Sequence, residues 1–171
     1  VKQAVLQTFH FQRSYLGLLV DDIPEDAMTA QPKGLPNHPA WQIGHLAIAL
    51  DGLGTMLGAP SSLDDDFKAK FDMGTAPTSD RSAYPTKAEL LETLDRVRAV
   101  VADALAKADD KALAQPNPMA ILSEGLPTVA PMAVFMLLSH ESNHLGQISV
   151  WRQAQGMRPA LEAMFNQAAN A

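Results

Sequence analysis

The chain of 171 residues contains no cysteine. Disulfides, thiolate nucleophiles, Cys-ligated zinc and iron–sulfur clusters are excluded, so any metal must be held by His, Asp or Glu. Positive charge is also in short supply. Thirteen Lys+Arg stand against nineteen Asp+Glu, a formal net charge of −6, and no basic cluster offsets this locally, which argues against nucleic acid as a partner. No apolar run reaches the roughly 18 residues of a membrane span. Residues 1–20 form an amphipathic pattern broken by His10, Gln12 and Arg13 rather than a signal peptide, and the expected compartment is the cytoplasm. No stretch alternates with period two for long enough to read as a strand, and there is no internal repeat.

What remains is ordinary globular material, 47% hydrophobic and 19% charged, in the amount expected of one domain over residues 1–171. Long proline-free stretches alternate with proline-rich ones, and the former read as helices. The first runs from about Lys2 to Val20, with Val5, Phe9, Gln12, Leu16 and Leu19 on one face. Asn37 or His38 caps a second, with Pro39 at its first position and an end near Gly58. It carries Trp41, His45, Ile48 and Gly52 on one side, and Gly44, Gly52 and Gly54 are expected to permit close helix approach. Residues 58–85 read as an irregular connection with at most a short turn of helix, and Asp64–Asp66 as a solvated loop. Thr86 and Glu89 form a capping box. It opens a third helix to about Ala108, with core face Leu90, Leu94, Val97, Val101 and Leu105. After a loop over 109–128, Thr128 caps a fourth helix to about Gln155, stopped by Gly156. Residues 160–168 suggest a short terminal helix. Four long helices joined by long crossover loops predict an all-α, antiparallel four-helix bundle.

Three of the five histidines carry the chemistry. His140 and His144 lie at i and i+4 on the fourth helix, one above the other, where two imidazoles can reach one ion. His45 sits midway along the second helix on the apolar side, and a bundle brings such faces together. Three imidazoles with coordination positions left open describe a catalytic metal site. The competing reading is three core or surface histidines without metal, in which buried imidazoles would each need another polar partner. His140-Glu141-Ser142-Asn143-His144 also matches the H-E-x-x-H motif of zinc proteases, with Glu141 as base and Glu162 as third ligand. The longer form of that motif fails at Gln147 and Val150. Three imidazoles suit zinc or nickel first, with iron and copper also within range.

Trp41-Gln42-Ile43-Gly44-His45-Leu46-Ala47 is followed about a hundred residues later by Leu138 to Ile148, in which His140, His144, Gly146 and Gln147 form H-x-x-x-H-x-G-Q-I. Together with Trp151, Arg152 and Gly156 this resembles the DinB-like family in spacing and helix order across nearly the whole chain. The resemblance implies a four-helix bundle, a three-His divalent-metal site at His45, His140 and His144, and often a homodimer. Among its understood members it implies S-transferases and isomerases that use low-molecular-weight thiols, and, in a related domain, metal ligation in sulfoxide synthases. The expected partner is thus a small-molecule substrate, with a small thiol as nucleophile. A non-catalytic metal- or ligand-binding stress-response bundle and a metal-dependent hydrolase remain the alternatives. Glu141 and Gln147 are the candidate catalytic residues, with a neighbouring-helix contact for Glu141 and bracing of the helix for Gln147 as the alternatives. Trp41 and Trp151 are expected to wall the pocket or core, His38 to lie at the surface, His10 at the surface or an interface, and Arg152 to form a salt bridge or hold an anionic substrate.

Overall fold

A computed structural model describes residues 2–162 and Phe165. It is helical, and no strand is present among the described residues. Helix α1 spans Lys2–Val20, α2 Pro39–Met56, α3 Asp65–Phe71, α4 Lys87–Lys107, α5 Asp110–Leu113, α6 Ala120–Ser123, α7 Val129–Val134 and α8 Glu141–Ala154, with Phe135–His140 forming a wider π-helical turn between the last two. No helix among these is long and apolar enough to cross a membrane. Helix α1 packs on α4 and α8, and α2 packs on the same two helices. Their apolar faces close over one core that includes Phe9, Leu16, Leu50, Leu94, Val101 and Ile148.

The anticipated boundaries follow from local chemistry. In the Thr86–Glu89 capping box, Thr86 Oγ1 accepts from the Glu89 N–H at 3.2 Å and the Glu89 carboxylate accepts from the Thr86 N–H at 2.8 Å. The expected face of α4, Leu90 to Leu105, is buried throughout. Gly44 gives the close approach expected of it, since a Cβ there would overlap the Phe71 ring. Gly52 meets nothing within 4 Å and has no left-handed φ.

Four expectations need correction. The 58–85 connection contains α3, whose N-cap is Asp64, with Oδ1 accepting from the Phe67 N–H at 2.7 Å; Asp64–Asp66 therefore open a helix rather than forming a loop. The 109–128 segment holds the two short helices α5 and α6. Thr128 stands at the N-cap of α7, but its hydroxyl makes no capping bond; the Val129 N–H instead donates to the Gln115 carbonyl at 2.9 Å. His38 is not at the surface. It is 0% exposed and is itself the N-cap of α2. Of the expected terminal helix over 160–168, Ala160 to Glu162 are helical, and 163, 164 and 166–168 lie outside the described residues.

The His38 ring is doubly committed. Nδ1 accepts from the Trp41 N–H at 3.1 Å, and Nε2–H donates to the Thr78 carbonyl at 3.0 Å. A protonated ring could not accept, and burial pulls its pKa down to about 4. Between that value and the ordinary 6.5, the unfolded chain takes up a proton that the folded one refuses. This contribution is therefore full above pH 6.5 and is lost as pH falls towards 4, on the order of 3 kcal/mol. Denaturant titrations of the metal-free protein at pH 7 and pH 4.5 should show the loss. His38→Asn keeps a capping side chain without a titrating group, so its stability should vary less with pH.

Candidate metal centre

Three elements deliver one nitrogen each to a common point. His45 comes from the middle of α2, His140 from the end of the π turn and His144 from the first turn of α8. One ring nitrogen of each lies within 4.8 Å of the other two. Nε2 of His140 and Nε2 of His144 are 3.2 Å apart. Two bonds of ~2.0–2.1 Å at a tetrahedral angle span about 3.3 Å, so this spacing suits two ligands of one ion.

Two of the remaining ring nitrogens are held from behind. Nδ1–H of His45 donates to the Phe71 carbonyl at 2.9 Å. Nδ1–H of His144 donates to Gln42 Oε1, and Gln42 Nε2 donates to Gln147 Oε1 at 2.7 Å. Those bonds leave the Nε2 lone pairs of His45 and His144 facing inward. Burial draws His140 down to about 4 and His144 to about 3, so both rings are neutral at physiological pH, the form a metal requires. Nδ1 of His140 is buried and has no partner among the described residues. Trp41 stacks on His45 at 4.7 Å between ring centroids and anchors its own Nε1–H on Thr75 Oγ1 at 2.9 Å. The donor set fits a divalent cation.

A family model described as the DinB superfamily matches residues 8–148. The chain belongs to the DinB superfamily. A search of curated proteins finds no match. The DinB match takes in all three histidines, the π turn and Gln147.

Within this DinB scaffold the other sequence candidates take different places. Glu141 turns into the core, where it is 0% exposed and paired with Arg98. Burial pushes its carboxyl up to about 7 against the pull of that guanidinium. Gln147 stands behind His144 as the last member of the Gln42 relay. Glu162 is exposed and is not one of the three converging residues. Arg152 is buried in an ion pair with Asp22, Trp151 is buried with Nε1–H on the Ala30 carbonyl at 2.7 Å, and His10 is exposed.

Several supporting residues escaped the sequence reading. The Phe71 carbonyl leaves no side-chain signal at all. Gln42, Arg98 and Gln12 did leave one, as polar residues on otherwise apolar helix faces. Gln12 Nε2 donates to the Leu138 carbonyl in the π turn at 3.1 Å and to Ser142 Oγ at 2.7 Å, tying α1 to the backbone that carries His140.

A pocket of about 350 Å3 opens beside His45 and His140. A separate groove of about 420 Å3, lined in part by Asn37, Asn143 and Gln147, includes none of the three histidines. Gly52 lines the first pocket. It costs about 1 kcal/mol of helix stability relative to Ala, with no close neighbour or special φ to require it.

The relay makes a direct prediction. Gln42→Ala removes the acceptor that fixes the His144 tautomer and should weaken divalent-metal affinity about 10–100-fold. Gln42→Glu still offers an oxygen and should recover most of it. Calorimetric titration with zinc checks both.

Proposed function

We propose that His45, His140 and His144 hold one divalent metal ion, and that the protein is a metal-dependent enzyme acting on a small molecule. The observation that carries this reading is the convergence of three imidazoles on one point beside an accessible pocket. Zinc or nickel is the favoured ion and iron the next. A metal with three such ligands and an open position would lower the pKa of a thiol or water bound to it.

The chain's own residues do the positioning. Phe71 and Gln42 orient the rings, Trp41 braces His45, and the pocket beside His45 and His140 admits the reactant. With no cysteine in the chain, a thiol nucleophile would be brought by a substrate. The reaction class that the resemblance to thiol-using DinB-like proteins suggests is transfer of a low-molecular-weight thiol to an electrophilic carbon, or a thiol-assisted isomerisation. The scaffold reads as an antiparallel four-helix bundle of α1, α2, α4 and the α7–α8 helix, forming one domain, homodimeric and cytoplasmic. The pairwise packing of those helices supports that reading of the fold. The protease reading loses support with Glu141 held by Arg98 and Glu162 at the surface.

Cobalt-substituted protein tests the proposal. Adding a small thiol should produce a sulfur-to-metal charge-transfer band. A spectrum that no exogenous ligand perturbs would mean a closed shell, and the protein would then be a metal-binding bundle without catalysis.

A further inference from the structure

The pocket beside the histidines has an unusual lining. His45 and His140 line it, and four methionines, Met56, Met73, Met119 and Met136, contribute to its walls. Lys and Arg are absent from the lining, and Asp72 is its one carboxylate. The rim is also apolar. Met73, just past α3, is 72% exposed, and Ile121 in α6 is 77% exposed, although each is a large apolar side chain that a covering ligand would shield. Gly52 lies in this lining, seven residues beyond His45 on the same face of α2. Neither packing nor backbone conformation requires glycine there, and a larger side chain would project into open space.

We infer that this pocket binds an uncharged small molecule with an apolar, aromatic or branched-alkyl body, and that this molecule is the electrophilic acceptor of the reaction proposed above. Only the acceptor role rests on that proposal. Apolar surface of the ligand leaves water against thioethers and alkyl groups, and unbranched methionines adapt to more than one shape. An anionic group placed among the methionines would lose its hydration beside Asp72, with no Lys or Arg side chain in the lining to receive it. The charged end of a small thiol therefore stays outside the methionine walls.

A matched pair of fluorescent probes tests this. N-phenyl-1-naphthylamine and 8-anilino-1-naphthalenesulfonate share one ring system and differ by a sulfonate. The metal-free full chain should bind the neutral probe at least tenfold more tightly than the anionic one. Gly52→Leu fills the pocket from a position with room for a side chain, and should weaken the neutral probe at least tenfold with the helical circular dichroism intact. Gly52→Ala adds only a methyl group and should bind it within about threefold of the original chain. Equal affinity for the two probes, or neutral-probe binding that Gly52→Leu leaves unchanged in a folded protein, overturns the inference. Zinc titration of the same samples separates the two proposals. Probe binding without zinc binding removes the metal reading and leaves the pocket; zinc binding with an indifferent Gly52→Leu does the reverse.

Discussion

Replacing any one of His45, His140 or His144 with alanine should lower divalent-metal affinity by at least about 100-fold, and the three losses should be similar. Residues that merely orient metal ligands are worth about 10–100-fold, and removing a ligand costs more than misorienting one. The nitrogens come from three different places in the chain, yet lie within 4.8 Å of one another, so none is peripheral to the point they share. Competition with a chromophoric chelator measures the affinities. Glu162→Ala is the control and should change nothing. If His45→Ala kept its affinity and Glu162→Ala lost it, the site would be that of an H-E-x-x-H hydrolase.

Arg98→Ala should destabilise the fold by about 3–5 kcal/mol at pH 8. The guanidinium lies 3.6 Å from the Phe9 ring centroid and donates to both the Glu141 carboxylate and the Phe9 carbonyl. Its loss strands a charge that is wholly buried and whose Oε2 already has no partner. The remedy open to the protein is protonation. Glu141 already titrates upward, to about 7, because of burial. Its folded pKa therefore exceeds the unfolded one, and the cost of losing Arg98 shrinks as pH falls below 7 and the native carboxyl becomes neutral. Urea titrations at pH 8 and pH 5.5 should show the smaller loss at the lower pH. The double variant Arg98→Met/Glu141→Leu should lose less than Arg98→Ala alone, since it leaves no charge behind.

The parts of this molecule legible in its sequence are those set by local rules. The Thr86–Glu89 box, Pro39 at a helix start and the apolar face of α4 each depend on residues a few positions apart. His45 was legible because it shares a helix face with Trp41 and Ile48, its partners because they stand four residues apart on one helix, and the DinB pattern joined the three. What could not be read comes from contacts distant in sequence. Gln42 meets His144 across 102 positions and Gln12 meets Leu138 across 126. The shift of roughly 100° between neighbouring helix positions put Glu141 away from the histidine face. Nothing local named Arg98 as the residue waiting there. His38 misled because a histidine in a proline-flanked stretch looks like surface, whereas the Thr78 carbonyl and the Tyr84 ring enclose it.

The π turn left a trace in the sequence that a uniform helical period hides. Val129, Ala133, Leu137, Glu141 and Leu145, each four residues after the last, are all buried. In a regular α-helix those sixteen steps would overshoot four full turns by about 160° and bring the last residue to the opposite side. The wider turn at Phe135–His140 absorbs much of that overshoot. The helix thus has two halves whose angular phases are joined by a spacer of fixed length. Substitutions within the spacer leave that phase alone, but a deletion or insertion of one residue would rotate one half against the other by roughly 100°. Either α7 would lose its seat in the core or the two histidines would swing away from His45. Homologous chains should therefore tolerate exchange of residue types over 135–139 far more readily than a change in their number.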